Sequence, residues 1–426
     1  MSVDLSVEFA GIKFKNPTIA AAAPPTRDLK CVIKAIESGI GGVVPKTMTY
    51  EESARTKPHP EYLLVYWRTI EAKELEKQIP PYYLALCRDG PTLCPWEPEE
   101  YVKQLKEMKK QTEKADVRLI GSIMGRTEDE WIKLAKLCEE AEVDAIELDL
   151  SCPSTWLHTK KLAHAMDIAQ SPELVFDLVK ALKKSVSLPI IPKLTLQAAN
   201  PMEVAKAAKE AGADGVTMFN ILYGLVIDIE KGAPVAGGPA TVGGPWAKPL
   251  VLRWIALTAK QVSAPISGCY GVHTWKDAVE YIMAGASTVQ YASVIMRVGY
   301  GITKEILEGM KEFMIKKGYK KIDDFRGIIL DKLFTSYQDY VKAQRPLVAV
   351  VDTKKCAPRV SVCGRCERIC FKDAIKRKQI DEKTYAARVD RTKCIGCHAC
   401  EYICPAKAIS MEERPEEEYI RAVMTT

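Results

Sequence analysis

Short apolar runs recur along the first 316 residues, and most are followed by a stretch with helical periodicity, such as Met202–Ala211. Runs that are apolar at consecutive positions are typical of parallel strands covered on both faces. Eight strand–helix units predict an α/β protein with a (β/α)8 TIM barrel. The predicted strands are Thr18–Ala22, Gly41–Pro45, Leu119–Ile123, Asp144–Leu150, Pro189–Leu194, Asp214–Phe219, Ala264–Gly268 and Ser287–Tyr291.

The pattern departs from this regularity in two places. Residues 47–98 are rich in Pro, Tyr and Trp and show no clear period, so we expect an insertion after the second strand that forms a lid or a substrate pocket. Residues 317–345 predict a helical connector that ends at Arg345-Pro346, where the composition changes. We therefore predict a barrel over 1–316, this connector, and a small C-terminal domain over 346–426.

The C-terminal domain contains eight of the fourteen cysteines of the chain. Four of them, with the following proline, form the spacing C-x2-C-x2-C-x3-C-P, which is typical of bacterial ferredoxins. Zinc sites more often use two C-x2-C pairs. The residues of this run are Cys394, Cys397, Cys400, Cys404 and Pro405.

An incomplete copy of the same run precedes it. Cys363, Cys366 and Cys370 match the last three positions, but Val360 stands where the first cysteine is expected. In two-cluster ferredoxins the fourth cysteine of each run binds the other cluster. We therefore predict one 4Fe–4S cluster on Cys356, Cys363, Cys366 and Cys404, and a second on Cys394, Cys397, Cys400 and Cys370. A first cluster without Cys356 is the competing possibility.

Charge is consistent with two clusters. Residues 345–426 contain 17 lysines and arginines against 12 aspartates and glutamates, and the whole chain carries +6. This local excess offsets the charge of about −4 expected for eight thiolates around two oxidised cores. The mild net charge does not indicate nucleic-acid binding. No apolar run approaches the roughly 20 residues that cross a bilayer, and a signal peptide is not evident, so we expect a cytoplasmic protein without a membrane partner.

The strongest candidate for catalysis lies at the end of the fourth predicted strand. There Asp149, Ser151 and Cys152 place a carboxylate, a hydroxyl and a thiol at the junction between strand and loop, because Pro153 ends the strand. Catalytic residues of TIM barrels lie at such junctions. The loop that follows, 154–169, predicts a cover for the site, and His158 or His164 is an alternative proton donor.

Electrons from iron–sulfur clusters require a converter to two-electron chemistry, and flavin is the usual one. Ala21 and Ala22 offer small side chains where a planar ring approaches the backbone. Lys46 and Lys193 end the second and fifth strands, and a buried lysine requires an anionic partner, such as the reduced flavin. The phosphate is expected after strands 7 and 8, near Gly244, Gly268, Gly271, Ala292 and Ser293, although glycine turns without a ligand have the same composition.

Several motifs together resemble the dihydroorotate dehydrogenase/dihydropyrimidine dehydrogenase family of FMN barrels. With its cysteine-rich tail, the chain is similar to the FMN- and iron–sulfur-containing, pyrimidine-binding subunits of bacterial dihydropyrimidine dehydrogenases. The motifs are Pro45-Lys46-Thr47, Ser122-Ile123-Met124-Gly125, Leu150-Ser151-Cys152-Pro153, Lys193-Leu194-Thr195, Gly212-Ala213-Asp214-Gly215 and Lys248-Pro249.

The resemblance implies roles for individual residues. Cys152 corresponds to the general acid/base of the family, and Lys46 and Lys193 correspond to its two lysines that contact FMN. By the same resemblance, Thr47, Ser122 and Asn220 belong to the cofactor site. The substrate site includes Asp149, Ser151, Asn220 and Ile221.

The departures from the family concern the substrate. Asp149 stands where the family has Asn, and Asn220-Ile221 replaces Asn-Thr. Cys269-Tyr270-Gly271-Val272 replaces Gly-Gly-Ile/Val, and Ala54 stands near a further substrate-contacting Asn. Buried polar groups that lose their partners reject a substrate strongly. We therefore expect a substrate other than uracil, thymine or orotate.

The predicted function is hydride transfer between FMN and a C=C/CH–CH pair of a small, cyclic substrate. Electrons would pass through two 4Fe–4S clusters to or from an FAD- and NAD(P)-containing reductase subunit or a ferredoxin, within a homo- or hetero-oligomer. No G-x-G-x-x-G follows a strand and opens a helix. The alternatives are a dihydropyrimidine dehydrogenase proper, an FMN enzyme for an aromatic or CoA thioester, and a non-catalytic electron-transfer or docking subunit.

Overall fold

The computed structural model of the chain describes residues 3–55, 62–67, 82–88, 93–150, 165–334, 336, 347–356, 363–380 and 385–415. The chain divides into two compact units, residues 1–332 and residues 333–426. Within the described residues, no helix combines the length and the apolar character that a membrane span requires.

The first unit is built on sixteen described strands. In chain order they are β1 (Val7–Phe9), β2 (Ile12–Phe14), β3 (Thr18–Ala20), β4 (Gly42–Val43), β5 (Tyr62–Trp67), β6 (Tyr82–Arg88), β7 (Arg118–Ile123), β8 (Ala145–Asp149), β9 (Ile190–Lys193), β10 (Val216–Met218), β11 (Leu222–Gly224), β12 (Ile227–Asp228), β13 (Ala233–Pro234), β14 (Ala240–Gly243), β15 (Ile266–Cys269) and β16 (Thr288–Tyr291).

Eight of these strands form a closed parallel barrel in the order β3, β4, β7, β8, β9, β10, β15, β16. Each predicted strand segment overlaps one of them, so the predicted TIM barrel is confirmed. The strands are buried along their length, as β8 illustrates with all five residues buried. This burial on both faces explains why the strands were visible as continuous apolar runs.

Helices connect the barrel strands. They are α1 (Leu29–Glu37), α2 (Pro98–Lys114), α3 (Glu128–Glu140), α4 (Ala165–Gln170), α5 (Pro172–Ser185), α6 (Pro201–Glu210), α7 (Lys248–Gln261), α8 (Trp275–Met283), α9 (Ser293–Val298) and α10 (Ile302–Lys317), with 3-10 turns at Pro24–Thr26, Glu52–Arg55, Pro245–Ala247, Ile322–Asp324 and Leu330–Lys332. Several begin with a side chain that accepts a backbone N–H, including Asp28 for α1, Thr127 for α3 and Thr274 for α8. Such caps satisfy donors that have no partner inside the helix.

Strands from the segments between the barrel strands form a second sheet in the first unit. It is antiparallel with strand order β11-β14-β6-β5. Two of its strands, β5 and β6, come from the predicted insertion at 47–98, where the sequence showed no period. They pair with each other and, through β6, with β14, which follows more than 150 residues later in the chain. Local sequence patterns do not reveal pairing of this kind.

The described residues of the second unit form two two-stranded antiparallel sheets and three short helices. The strands are β17 (Leu347–Val351), β18 (Ile375–Gln379), β19 (Tyr385–Val389) and β20 (Ile409–Glu413), and the helices are α11 (Thr353–Cys356), α12 (Arg365–Ile369) and α13 (Ala399–Ile403). β17 pairs with β20, and β18 pairs with β19, both antiparallel. The helices α12 and α13 pack together. Each contains one cysteine of a predicted run, Cys366 in α12 and Cys400 in α13.

Candidate active site and iron–sulfur centre

A pocket opens at the carboxyl ends of the barrel strands, the end of a TIM barrel that carries catalytic residues. Including the solvent at its mouth, the open space is about 920 Å³, within the range of cofactor sites. Its lining includes most of the predicted cofactor and substrate residues that the structure describes, namely Ala21, Ala22, Lys46, Thr47, Asp149, Lys193, Asn220, Ile221, Gly271, Ala292 and Ser293.

The floor of the pocket contains a buried ion pair. Lys193 Nζ lies 3.0 Å from Glu147 Oε1, and their side chains are only 4% and 1% exposed. The other carboxylate oxygen of Glu147 accepts hydrogen bonds from Thr217 Oγ1 and Gln290 Nε2, both at 2.8 Å. Burial alone would lower the pKa of Lys193, but the Glu147 carboxylate raises it above its usual value. Lys193 therefore stays charged inside the barrel.

Lys46 has a different environment. It ends the segment after β4, is buried, and lines the same pocket. Among the described residues, no carboxylate lies within ion-pair distance of its ammonium group, whereas Lys193 has Glu147. A buried ammonium favours an anion, so Lys46 is the more available of the two lysines for an anionic group in the pocket.

Asp149 lies at the end of β8 and connects several predicted site residues. Its Oδ2 accepts a hydrogen bond from Thr47 Oγ1 at 3.0 Å, and its Oδ1 accepts one from Asn220 Nδ2 at 2.9 Å. Thr47 Oγ1 in turn lies 2.9 Å from Ser122 Oγ. Ser122 is buried behind Thr47 and is not among the residues that line the pocket. Ser122 therefore affects the pocket only indirectly, through its hydrogen bond with Thr47.

Burial raises the pKa of Asp149, and the nearby Glu147 carboxylate adds to this rise. The ammonium of Lys193 and the hydrogen bond from Thr47 oppose it. Burial therefore disfavours the ionised form of Asp149, although Thr47 and Asn220 donate hydrogen bonds to its carboxylate. A neutral Asn at the same position would not carry this cost.

The predicted phosphate-binding residues fall into two groups. Gly271, Ala292 and Ser293 line the pocket. Gly268 and Gly244 are not among the lining residues that the structure describes. A Cβ at Gly268 would lie 2.3 Å from Tyr281 Cδ1, so that glycine makes room for Tyr281. Gly271 has a φ of +86°, and a Cβ there would meet the backbone of Lys248. Its conformation thus has a packing reason independent of any ligand.

Tyr270 is a pocket residue that the sequence indicated only as a departure from the family. It has a φ of +84°, which is uncommon for a residue other than glycine. Its hydroxyl donates to the carbonyl of Val242 in β14 at 2.6 Å, and Trp246 packs edge-on against its ring. Tyr270 therefore ties the end of β15 to the second sheet.

Cys269 precedes Tyr270 and also lines the pocket. Burial raises the pKa of its thiol to about 11, although the Lys193 ammonium opposes the shift. The thiol is therefore neutral at ordinary pH and adds no charge to the pocket. The alignment of Cys269 with a family glycine gave the only signal for this residue in the sequence.

The remaining predicted residues lie outside the described part of the chain. These are Ser151 and Cys152, together with the loop histidines His158 and His164, because the described residues end at Leu150 and resume at residue 165. The side chain of Ala54 is likewise not described. The structure does place Asp149, three residues before Cys152, at the rim of the pocket.

The described residues fit FMN. Small side chains at Ala21, Ala22 and Ala23 line one part of the pocket, which leaves space for a flat ring system. Two lysines and the amide of Asn220 supply positive charge and hydrogen-bond donors. A ring that becomes anionic on reduction is complementary to such a donor set.

The second unit contains a pocket lined by four thiols. Its lining includes Cys370, Cys394, Cys397 and Cys400, the four predicted ligands of the second cluster. Among the described residues, no three potential ligands are close enough to hold a single metal ion. Four thiols in one pocket match the number that a 4Fe–4S cubane requires, with one thiolate on each iron.

The backbone supports the cysteine positions. The N–H groups of Ala349 and Ala374 donate to Cys394 Sγ and Cys370 Sγ at 3.4 and 3.3 Å. Such hydrogen bonds to sulfur tune iron–sulfur clusters. In the other half of the unit, Ala408 N–H donates to Cys404 Sγ at 3.3 Å.

The predicted ligands of the first cluster also lie close together. Burial raises the pKa of the Cys366 thiol to about 11, and the nearby thiols of Cys356 and Cys363 contribute to the rise. Cys356, Cys366 and Cys404 pack against the small apolar core of the unit. Residues 357–362, which include Val360, lie outside the described residues.

We expect the substitution Glu147→Gln to destabilise the first unit by about 3–5 kcal/mol, because it leaves the buried Lys193 ammonium without its counter-charge. Urea unfolding of the chain measures this loss. Replacing both charges, with Glu147→Gln and Lys193→Met, should recover part of the stability, since no unpaired charge then remains. Lys231→Gln, which removes an exposed partner of Asp228, is the control and should have little effect. An equal stability of Glu147→Gln and the control would contradict the assigned role of the pair.

Comparison with known proteins agrees with this geometry. Residues 98–314 match the family model described as dihydroorotate dehydrogenase, and residues 387–410 match that of the 4Fe-4S binding domain. The NAD-dependent dihydropyrimidine dehydrogenase subunit PreA of Escherichia coli K12 is 30% identical over 97% of this chain and 96% of its own length.

Archaeal relatives match the barrel. The catalytic subunit of dihydroorotate dehydrogenase B (NAD(+)) of Pyrococcus abyssi is 34% identical over 76% of this chain and 99% of its own length. The corresponding subunit of Thermococcus kodakarensis is 32% identical over 77% of this chain and 98% of its own length.

These similarities confirm the predicted flavin- and iron–sulfur-dependent oxidoreductase that acts on CH–CH groups, with FMN and 4Fe–4S chemistry. The chain therefore belongs to the dihydroorotate dehydrogenase family and carries, in addition, a 4Fe–4S binding domain.

Proposed function

We propose that the chain transfers a hydride between FMN and one carbon of a small cyclic substrate, while Cys152 exchanges a proton with the neighbouring carbon. The convergence of Lys46, Lys193, Asp149 and Asn220 on one pocket beyond β8 is the observation that supports this proposal. FMN, when bound, supplies the acceptor or donor of the hydride. The protein supplies the charges, the orientation of the substrate and the proton transfer.

The two lysines have separate roles in this proposal. Lys193 is held by Glu147 and would provide a fixed positive charge in the pocket that holds the cofactor. Lys46, which has no such counter-ion among the described residues, balances negative charge on the reduced cofactor directly. Charges fixed before the reaction lower its barrier without reorganisation.

Cys152 follows Asp149, the last residue of β8, by three residues in the sequence. In the oxidative direction, its thiolate takes a proton from one substrate carbon while the hydride leaves the adjacent carbon for the flavin. In the reductive direction the thiol returns that proton. General acid–base help of this kind accelerates a reaction by about 10²–10⁴-fold.

Replacing Cys152 by Ala should therefore slow the half-reaction between flavin and substrate by about 10²–10⁴-fold and leave the flavin bound. Rapid mixing of anaerobically purified protein with a panel of cyclic amides and enoyl compounds measures the flavin absorbance directly. Cys138→Ala, a buried cysteine of α3, is the control. A protein that binds no flavin, or an unchanged rate in Cys152→Ala, would sink the proposal.

Asp149 determines which substrates fit. An ionised Asp149 only accepts hydrogen bonds, whereas the family's Asn also donates; a protonated Asp149 would donate one as well. With Thr47 and Asn220 already donating to Asp149, a further contact from the substrate must come from an N–H or O–H group. A carboxylate or a carbonyl oxygen of the substrate would be repelled. We infer that the substrate needs no hydrogen-bond donor from this position, which the family's Asn supplies and an ionised Asp149 does not, and is therefore not uracil, thymine or orotate.

The substitution Asp149→Asn should raise activity on uracil by about 10–100-fold, because a mismatched buried polar contact costs about 1–3 kcal/mol. Steady-state kinetics with uracil and dihydrouracil measure this gain. Ser171→Ala, which removes the exposed N-cap of α5, is the control. Rapid turnover of uracil by the unaltered chain would contradict the substrate proposal and favour a dihydropyrimidine dehydrogenase proper, like the relative from Escherichia coli.

The same variant has a second readout. Burial raises the pKa of Asp149 above its ordinary value, so the folded state binds this proton more tightly than the unfolded state. Stability then falls as pH rises from about 4 through the folded-state pKa. Asp149→Asn should remove that part of the pH dependence, which shows that the variant folds and that the charge was buried.

We propose two clusters. The first uses Cys356, Cys363, Cys366 and Cys404, and the second uses Cys394, Cys397, Cys400 and Cys370. The four-thiol pocket supports the second, and the grouping of Cys356, Cys363 and Cys366 supports the first.

Iron and acid-labile sulfide analysis should give about eight of each per chain. Cys397→Ser should remove the second cluster and reduce the iron content to about half, whereas Cys31→Ser, in the barrel unit, should leave it unchanged. Electron paramagnetic resonance of the reduced protein counts the clusters. About four irons in the unaltered chain would contradict the first cluster and its ligand Cys356.

The proposed transfer of electrons through the clusters requires a partner protein. Clusters carry single electrons to or from a second protein, and the relative from Escherichia coli is itself named as a subunit. We propose an FAD- and NAD(P)-containing reductase subunit, or a ferredoxin, as the partner in an oligomer.

A further inference from the structure

Exposed apolar side chains surround the four-thiol pocket of the second unit. Phe371, which follows Cys370, is 72% exposed, and Ile395, which follows Cys394, is 49% exposed. Both line the pocket together with Lys372, and the ligand Cys397 is itself exposed. Large apolar side chains left in water beside a reactive centre are typical of a protein-binding surface.

The other half of the unit provides an internal comparison. Cys404-Pro405-Ala406-Lys407-Ala408 repeats the geometry of Cys370-Phe371-Lys372-Asp373-Ala374, because Ala408 and Ala374 make the same N–H to sulfur contact and Lys407 and Asp373 share a positive φ. Only the side chains differ. Pro405 and Ala406 occupy the positions of Phe371 and Lys372, so this Phe-Lys pair is not repeated after Cys404, where the exposed ring is that of Tyr402, two residues before the cysteine.

The chain around the four-thiol pocket is basic, as is the segment before it, where residues 353–370 contain five lysines and arginines against one glutamate. Residues 371–397 contain eight lysines and arginines against four aspartates and glutamates, whereas residues 398–426 contain three against six. Lys372 lines the pocket, and Lys393 precedes the ligand Cys394. Two of the nearby carboxylates are partly neutralised, since Asp373 pairs with Lys376 at 2.8 Å and Asp390 lies 3.9 Å from Lys393.

We propose that the cluster rim, defined as Phe371, Lys372, Lys393 and Ile395, is the docking surface for an acidic one-electron carrier protein. The proposal rests on the second cluster of the proposed function. Lysines attract an acidic partner over a distance and orient it, while the exposed apolar side chains provide the contact. A small, weak interface of this type permits rapid exchange of partners.

The electron transfer at this surface is simple to balance. A reduced carrier would lose one electron, and the cluster held by Cys370, Cys394, Cys397 and Cys400 would gain it. No bond forms or breaks. A second encounter supplies the second electron that a hydride equivalent requires.

Flavodoxin, an acidic one-electron carrier, is a suitable probe. Fluorescence anisotropy of labelled, oxidised flavodoxin with the intact holoprotein should show binding at low salt that weakens as ionic strength rises. Stopped-flow reduction of the clusters by reduced flavodoxin should show the same salt dependence. Cytochrome c, a basic carrier, should bind more weakly at low salt. Tighter binding of cytochrome c would overturn the charge assignment.

The double variant Lys372→Glu/Lys393→Glu should weaken flavodoxin binding and slow cluster reduction about tenfold or more at low salt. Lys354→Glu/Lys407→Glu is the matched control, because it makes the same charge change on exposed lysines next to the other predicted ligands, Cys356 and Cys404. Equal losses in both variants would show a general charge effect and overturn the cluster rim as the docking surface.

Phe371→Ala tests the apolar contact. It should reduce binding at high salt as well as at low salt, since its contribution does not depend on charge. Electron paramagnetic resonance of each reduced variant reports the clusters separately. Absent cluster signals in the unaltered chain would contradict the proposed function, whereas intact signals with unchanged flavodoxin binding in Lys372→Glu/Lys393→Glu and Phe371→Ala would contradict the docking surface alone.

Discussion

The ion pair between Lys193 and Glu147 is the interaction on which the active-site pocket depends. Two charges inside a barrel are costly to bury, and their attraction compensates only when further hydrogen bonds satisfy the remaining atoms. Thr217 and Gln290, from β10 and β16, provide those hydrogen bonds to Glu147. Four strands that are distant in sequence thus contribute to one polar centre, and the ammonium group of Lys193 lies at a fixed place beneath the pocket.

This centre also sets the electrostatics of the substrate site. Lys46 and Lys193 bring two positive charges to the pocket, and Glu147 balances one of them. The family's Asn would leave an excess of one positive charge, which suits an anionic cofactor or substrate. Asp149 removes that excess when it is ionised. The single substitution therefore changes both the hydrogen-bonding pattern and the charge that the substrate meets.

The second unit contains a short motif that occurs twice, after Cys370 and after Cys404. Two cysteine runs give the same backbone contacts to sulfur, yet the residues after Cys370 and Cys404 differ. In one half a phenylalanine and a lysine follow the ligand, and in the other a proline and an alanine follow it. The repeat gives two cysteines the same backbone contact, and the residues that follow them give the two halves different surfaces.

The sequence by itself determined the barrel and the cysteine spacing, because both are local patterns. Continuous apolar runs mark strands such as β8 that are buried on both faces, and ligand cysteines lie close together in the chain. Asp149 and Lys193 were also evident as polar residues at the ends of such runs. The tertiary structure alone decided the partners. It gave Lys193 a carboxylate from another strand, brought Asn220 to Asp149, and paired β6 with β14, because contacts between residues far apart in the chain leave no periodic signal in it.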